Sequence, residues 1–400
     1  MKNIFYETDS GKIINSDNLE ALEDIEDNSV DSCISDFPYA IEFMGKNWDN
    51  IKSFYDWCKE RSDSLFRVMK FGSYTAIFGS PNTNHRMKCA FEDSGFRIVD
   101  EIDWIYCTGM PHNQDIGNMF KRDGDSYNAS VWNDWKTAGL KPAHETITIF
   151  QKPLEGTYIE NIEKYGVGGM NIGACRVPIS KEDIDMLNAK ASKNPTTNYS
   201  DKEDKIYGKY ALDKAVPANT DGRFPPNIIF DENTAKEMDA QTGVTKSTGG
   251  SGIASTSNRA RSIYGAYNQE TNENYQNDSL GGYGDSGGGS RLFPIFKYCS
   301  KVSPSERKLP NGDRNPHVTL KPIELIKWLI KLLTPKNGLT IDITAGSCTH
   351  AVASEQLNMN ENYNLKYIDI ELCNNDENPY CEVGKQRVEA VLKEKEDRLF

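Results

Sequence analysis

Residues 342–349 read Asp-Ile-Thr-Ala-Gly-Ser-Cys-Thr, and this stretch separates an apolar run at 339–343 from a helical pattern at 349–357. A further apolar run at 366–370 follows, so these segments predict one strand–helix–strand unit. Residues 10–150 also alternate strands with helices, and the strands are predicted at 12–15, 30–35, 74–79, 96–99, 102–106 and 145–150. The pattern predicts an α/β fold with a parallel sheet that is covered by helices on both faces.

A second short motif, Asp36-Phe37-Pro38-Tyr39, ends the predicted strand at 30–35, where ligands bind in open α/β sheets. A carboxylate and a nearby main-chain carbonyl can hold the two N–H bonds of a nucleobase amino group and so localise its lone pair. Pro38 would fix the carbonyl of Phe37, and Tyr39 would offer a face to an extruded base. The motif predicts methyl transfer to such an amino group, although the same residues also suit an ordinary turn.

The turn at 342–349 predicts a site for a nucleotide-like cofactor. Its small residues allow a ligand to approach the backbone, and the start of the following helix offers free N–H groups. Glu371, at the end of the next predicted strand, is placed to accept hydrogen bonds from ribose hydroxyls. A turn with one glycine, Gly346, is also compatible with a purely structural role.

The chain is acidic, with 400 residues, a formal net charge of −13 and an isoelectric point of about 5.0. Charge is unevenly spread, because residues 246–336 hold 13 Lys and Arg against 7 Asp and Glu. A basic surface of this kind can follow phosphates even on an acidic protein, since the local field governs the contact. The composition therefore does not exclude a nucleic acid partner.

Nine cysteines without a C-x-x-C pair favour reduced thiols over a disulfide framework. None of the five histidines stands at zinc spacing from cysteines, so we expect no metal. The N-terminus lacks the apolar segment of a signal peptide, and Lys327 and Lys331 interrupt the apolar stretch at 326–333. We expect a soluble, cytoplasmic protein that does not span a membrane.

Taken in order, these motifs resemble the beta class of DNA amino-methyltransferases, which methylate N6 of adenine or N4 of cytosine. Residues 36–39 resemble the family's Asp-Pro-Pro-Tyr, and His-Val-Thr-Leu-Lys-Pro at 317–322 resembles its His-Pro-Thr-x-Lys-Pro block. Segments at 43–49, 95–100 and 141–145 also look like family segments, the first of them like phage-type members. The chain departs from the family at Phe37 for a Pro, Thr344 for a Phe, Cys348 for a Gly and Val318 for a Pro.

The resemblance implies a circularly permuted, seven-stranded Rossmann-like sheet of the S-adenosylmethionine-dependent methyltransferases, with strand 12–15 beside strand 366–370. It implies S-adenosylmethionine as the cofactor, double-stranded DNA as the partner and, by analogy with relatives, a homodimer. The implied catalytic residues are Asp36, Phe37, Pro38 and Tyr39. The implied cofactor-binding residues are Asp17, Asp36, Thr319, Lys321, Asp342, Ala345, Gly346, Ser347, Thr349 and Glu371.

By the same resemblance, residues 1–150 form the catalytic half, 151–290 an inserted target-recognition region and 291–400 the cofactor-binding half. Within the insert, residues 244–290 are a low-complexity loop rich in Gly, Ser, Asn and Tyr. Arginines and tyrosines of this region could contact phosphates or base edges; they are Arg223, Arg259, Arg261, Arg291, Tyr264, Tyr267, Tyr275 and Tyr283.

Asp36 at the first motif position is typical of adenine enzymes, whereas Ser is typical of the cytosine enzymes. The sequence therefore favours a site-specific adenine-N6 methyltransferase. An N4-cytosine enzyme and a catalytically weak DNA-binding homologue stay open, the latter because of the departures at Phe37, Thr344 and Cys348. A protein amide methyltransferase is a further alternative, but such enzymes usually begin the motif with Asn. Whether a restriction nuclease accompanies the enzyme is open.

Overall fold

The computed structural model describes residues 3–41, 49–106, 113–181, 184–185, 221–246, 286–296, 307–317, 319–373 and 379–398. The chain forms two compact units: the first comprises Met1–Cys175, Pro225–Ala235 and Phe293–Phe400, and the second comprises Arg176–Phe224 and Lys236–Leu292. Residues 151–175 and 225–235 thus belong to the same unit as both predicted methyltransferase halves. The assignment of 151–290 to target recognition stays a prediction.

The described residues of the first unit form one ten-stranded sheet. Its strands are β1 (Ile4–Glu7), β2 (Gly11–Asn15), β3 (Val30–Asp36), β4 (Met69–Gly79), β5 (Arg97–Ile105), β6 (His144–Gln151), β7 (Ile228–Asp231), β10 (Ile295–Phe296), β11 (Leu339–Asp342) and β12 (Lys366–Glu371). Their order across the sheet is β1-β2-β12-β11-β3-β4-β6-β5-β7-β10. The short strands β8 (Thr245–Lys246) and β9 (Ser286–Gly287) form a separate pair in the second unit.

Ten α-helices are described: α1 (Asn18–Glu23), α2 (Phe54–Val68), α3 (Asn84–Asp93), α4 (Ile116–Arg122), α5 (Ser126–Val131), α6 (Tyr158–Tyr165), α7 (Glu232–Thr242), α8 (Ile323–Leu333), α9 (Thr349–Glu361) and α10 (Tyr380–Asp397). Neighbouring residues of β3 divide between two cores, because side chains alternate across a strand. Ile34 packs in a core with α8 and α9, and Cys33 packs in a core with α1, α2 and α3. Helices therefore cover both faces, and the α/β class is confirmed.

The sheet is mixed, so the expectation of a parallel sheet is wrong in part. Strand β6 runs antiparallel to both β4 and β5, and β1 runs antiparallel to β2. The two short strands predicted at 96–99 and 102–106 are one strand, β5, whose register shifts between Ile98 and Asp100. That irregularity breaks the side-chain alternation on which the prediction relied. The seven expected strands form the centre of the sheet, and β1, β7 and β10 extend its edges.

The permuted arrangement brings the two ends of the chain together. Strand β2 pairs in parallel with β12, with Asn15 opposite Glu371, as the resemblance implied. Strands β12, β11 and β3 are neighbours and run parallel. Their last residues are Glu371, Asp342 and Asp36, so three carboxylates from distant parts of the sequence meet at one edge of the sheet.

Cys373 and Cys381 form a disulfide, which corrects the expectation that all the thiols are reduced. The first cysteine follows β12 and the second lies in the first turn of α10, with their Cα atoms 6.2 Å apart, a separation that a disulfide can bridge. Within the described ranges, no helix is long and apolar enough to cross a membrane. Nor do the described His, Cys, Asp and Glu residues form a group of three or more that could hold a metal ion.

Candidate active site

A cavity of about 1330 Å³ opens in the first unit at the carboxyl edge of β12, β11 and β3. Every predicted catalytic and cofactor-binding residue lines it. These residues are Asp17, Asp36, Phe37, Pro38, Tyr39, Thr319, Lys321, Asp342, Ala345, Gly346, Ser347, Thr349 and Glu371. The roles given to them stay predictions, but the structure places them around one space.

Asp36 lies at the centre of a hydrogen-bonded cluster in this cavity. The Lys321 ammonium donates to Asp36 Oδ2 at 2.6 Å and also lies 3.3 Å from Glu145 Oε2. The Tyr39 hydroxyl lies 2.9 Å from Glu145 Oε2 and 3.3 Å from Asp36 Oδ1. Tyr106 completes the group, with its hydroxyl 3.4 Å from Glu145 Oε1. The cluster holds two carboxylates and one ammonium, so it carries a net negative charge when all three are ionised.

The environment raises the pKa of three groups in this cluster, Asp36, Lys321 and Tyr39. Burial raises the pKa of Asp36, and the nearby Lys321 charge opposes that rise. For Lys321, burial acts to lower the pKa, but the carboxylates of Asp36 and Glu145 outweigh it and the pKa is raised. Burial, followed by the charge of Asp36, raises the pKa of Tyr39 well above its ordinary value. Lys321 therefore stays charged and Tyr39 stays neutral.

The turn at residues 36–39 is held by packing, although Phe37 stands where the family has a proline. The Phe37 ring is buried and packs edge-on against Trp57 at 5.1 Å between ring centroids. The Asp36 carbonyl accepts a hydrogen bond from the Thr344 hydroxyl at 3.0 Å. Beyond the motif, the buried Asp49 carboxylate accepts from two successive backbone N–H groups at 2.7 and 3.0 Å. These contacts supply the rigidity that a second proline would otherwise give.

At the other end of the cavity, Glu371 and the turn after β11 face each other. The Gly346 N–H donates to Glu371 Oε2 at 2.7 Å. Gly346 has φ +52°, and a Cβ there would lie 2.5 Å from His317 Nε2, so only glycine fits. Burial raises the pKa of Glu371 to about 7; the Gly346 N–H opposes the rise and the charge of Asp342 adds to it. Burial and the charge of Asp369 similarly raise the pKa of Asp342 to about 7.

Cys348, which stands where the family has a glycine, adopts the left-handed conformation with φ +56°. Its side chain is buried in the core formed with α10, and a Cβ added at Gly384 would lie 2.4 Å from its Sγ. The thiol therefore occupies space that Gly384 leaves on α10. This packing explains how a cysteine is accommodated in the turn after β11.

Asp17 lies at the rim of the cavity and caps α1, where its Oδ1 accepts from the Leu19 N–H at 2.9 Å. Arg61 Nη2 is 3.8 Å from Asp17 Oδ2, and the Arg61 guanidinium stacks over the Trp57 ring at 4.0 Å. Arg61 and Trp57 also line the cavity. Sequence reasoning did not identify them as site residues, because α2 shows there only an ordinary amphipathic pattern.

Among the residues predicted to read DNA, Arg223 and Arg291 are described, and both bond within the second unit. Arg223 Nη1 donates to the Pro178 carbonyl at 3.3 Å, and Arg291 Nη1 donates to the Gly288 carbonyl at 2.8 Å and to Thr245 Oγ1 at 2.9 Å. These contacts favour a structural role for the two arginines. The predicted residues Arg259, Arg261, Tyr264, Tyr267, Tyr275 and Tyr283, the segment 43–48 and Val318 lie outside the described residues.

Comparison with known proteins identifies the family of this chain. The sequence profile of a DNA methylase family, the N6/N4 amino-methyltransferases, matches residues 30–375. The chain belongs to this family. Family membership confirms the resemblance seen in the motifs and supports S-adenosylmethionine as the cofactor.

Two curated relatives share parts of the chain. The type II methyltransferase M.HindIII of Haemophilus influenzae is 29% identical over 200 residues, which are 40% of this chain and 64% of that protein. The type II methyltransferase M.HpaI of Haemophilus parainfluenzae is 26% identical over 148 residues, 35% of this chain and 38% of that protein. The match thus spans less than two thirds of either relative. Among solved structures, PvuII DNA methyltransferase (cytosine-N4-specific) aligns over 99% of this chain and 94% of its own, with 14% identity and a TM-score of 0.46.

Proposed function

We propose that this protein is a site-specific DNA methyltransferase that transfers a methyl group from S-adenosylmethionine to N6 of adenine. The observation that carries the proposal is the single cavity shared by the Asp36 cluster and the turn at Gly346. Its volume of about 1330 Å³ exceeds the roughly 300–1,000 Å³ of ordinary small-molecule sites. That volume suits a cofactor and an extruded base bound together.

The residues at the Glu371 end fit S-adenosylmethionine. Glu371 Oε2 accepts a hydrogen bond from the Gly346 N–H. We assign its other oxygen, Oε1, as the acceptor for the ribose hydroxyls. The backbone at Gly346 has no side chain, so it allows close approach of the ligand. Asp17, at the start of α1, would lie near the adenine. When bound, S-adenosylmethionine supplies an electrophilic methyl group.

At the other end of the cavity, Asp36 would accept a hydrogen bond from one N–H of the target amino group, and the Phe37 carbonyl would accept one from the second N–H. The Lys321 ammonium donates to Asp36 Oδ2 at 2.6 Å, and this contact supports Asp36 as an acceptor for a nitrogen donor. Lys321 also lies 3.3 Å from Glu145, so it keeps a carboxylate partner when the base arrives. Methyl transfer leaves the amino nitrogen with one excess proton, and Asp36, whose pKa burial raises, is placed to accept it.

Nucleoside analysis of methylated DNA tests the proposal. Purified protein is incubated with unmethylated genomic DNA and S-adenosylmethionine, and digested nucleosides are separated by mass spectrometry. We expect N6-methyladenine from the native protein and a loss of about 100- to 1,000-fold in rate for Asp36→Ala, the effect of removing one preorganised polar group. The control is Asp63→Ala on the exposed side of α2, which should match the native rate.

Each other outcome points to a different function. N4-methylcytosine in the digest would replace the adenine assignment with the cytosine one. DNA binding without methyl transfer, and without heat on titration with S-adenosylmethionine, would indicate a non-catalytic DNA-binding homologue. Transfer of label to protein rather than to DNA would contradict a nucleic acid substrate.

A further inference from the structure

An apolar side chain projects from the rim of the active-site cavity. Leu140 lines the cavity, yet 94% of its surface is exposed to solvent. Burying an aliphatic side chain of this size is worth about 1.5–3 kcal/mol, and the free protein does not gain it here. Leu140 belongs to the segment that joins β5 to β6, next to Gly139, which has φ +109°. A bound partner that covered Leu140 would gain this free energy.

The segment before Leu140 is held in place by local hydrogen bonds. The Asn113 side chain donates to the carbonyl of Thr137 at 2.6 Å and also to that of Gly139. Gln114 and Thr137 exchange two further hydrogen bonds, of 2.8 and 2.9 Å. Beyond Leu140 the backbone is fixed again, where the Tyr106 N–H donates to the Ala143 carbonyl at 2.8 Å. Leu140 thus stands on a short loop anchored on both sides.

The position of Leu140 relates it to the catalytic end of the cavity. Five residues further along the chain, Glu145 contacts Tyr39 and Lys321. Among the described residues, two other large hydrophobic side chains that line the cavity are exposed, Ile41 at 44% and Leu372 at 62%. Leu372 directly follows Glu371 and so lies at the cofactor end, and Ile41 is less exposed. Leu140 is the most exposed of the three.

We propose that Leu140 is the wedge that enters the DNA duplex and fills the space left by the extruded target base. This inference rests on the proposed function and names the partner of this part of the site as double-stranded DNA. Apolar side chains of DNA-binding proteins can insert between base steps. Extruding a paired base costs a few kcal/mol, and an apolar side chain in the vacated space would recover part of that cost by its own burial. Removing the wedge should therefore impair extrusion of a paired base more than methylation of a base that has no partner.

The test uses the methylation site read from genomic DNA modified by the native protein. Synthetic duplexes carry this site with the target adenine for rate measurements. A parallel set carries 2-aminopurine in place of the target for fluorescence only, because 2-aminopurine has no 6-amino group to methylate but fluoresces more strongly when it leaves the stack. A second duplex has an abasic position opposite the target, so there is no base pair to break. Leu140→Ala, Leu140→Met and, as a matched control on the same connecting segment, Val131→Ala (53% exposed) are compared with the native protein.

We expect Leu140→Ala to lose at least tenfold in kcat/KM and most of the fluorescence rise on the paired duplex. On the abasic duplex it should come within about threefold of the native protein, and Leu140→Met and Val131→Ala should behave as native on both. Native extrusion by Leu140→Ala, or an equal loss on both duplexes, would refute the wedge. Absence of methyl transfer by the native protein would instead overturn the proposed function.

Discussion

Gly384→Ala tests how the turn after β11 accommodates Cys348. Gly384 lies inside α10 with an ordinary helical backbone, so alanine alone should stabilise the helix by about 0.5–1 kcal/mol. The new Cβ, however, would lie 2.4 Å from Cys348 Sγ and 2.8 Å from Cys348 Cβ. Atoms this close must move apart, and such overpacking costs about 1–3 kcal/mol. We expect a net destabilisation of up to about 2.5 kcal/mol.

The effect of Gly384→Ala on the free energy of unfolding should have the opposite sign when residue 348 is glycine. Cys348→Gly removes both clashing atoms and relieves the left-handed backbone, which costs about 1–2 kcal/mol for a residue with a side chain. In that background Gly384→Ala should stabilise by the helix-propensity gain alone. The coupling free energy between the two positions should therefore be about 1–3 kcal/mol.

Urea unfolding followed by tryptophan fluorescence measures the four members of this cycle. Calorimetric titration with S-adenosylmethionine adds a functional readout, because Thr349, the first residue of α9, lines the cavity next to Cys348. Gly384→Ala alone should weaken cofactor binding, and the double variant should recover it. If Gly384→Ala stabilised the protein equally in both backgrounds, the proposed packing of Cys348 would be refuted.

Two further predictions concern the cofactor end of the cavity. Burial raises the pKa of Glu371 to about 7, so affinity for the cationic cofactor should rise from pH 6 to pH 8, by at most about tenfold per unit below the pKa. Calorimetry at several pH values should show this rise. Glu371→Gln should reduce it and leave the part due to Asp342, whose pKa is also raised to about 7. The raised pKa of Glu371 has the opposite effect on the free energy of unfolding of the cofactor-free protein. Its contribution to stability is fully present below about pH 4.5 and is lost as the pH rises through about 7. Gly346→Ala should abolish measurable cofactor binding while duplex binding in a gel-shift measurement stays native, because the added Cβ meets His317 at 2.5 Å; native cofactor affinity would contradict the close approach of the backbone.

The sequence was sufficient to predict the placement of the candidate site residues that end parallel strands. Asp36, Asp342 and Glu371 each end a strand, and the carboxyl ends of adjacent parallel strands meet at one edge of a sheet. The packing of Cys348 against Gly384 could not be predicted, because it joins two positions of ordinary local pattern that meet only when α10 docks. The disulfide between Cys373 and Cys381 was missed for a similar reason, since an odd number of scattered cysteines does not indicate a pair.

Glu145 was missed as a site residue because the strands were taken to be parallel. Strand β6 is antiparallel to β4, with Gly79 opposite Thr146, so its first residues, not its last, reach the edge where the cavity lies. The connection that enters β6 arrives at the same edge and brings Leu140 with it. One reversed strand therefore accounts for both the second carboxylate near Lys321 and the exposed side chain beside it. In a sheet of this class, candidate site residues are therefore expected just before an antiparallel strand and just after a parallel one.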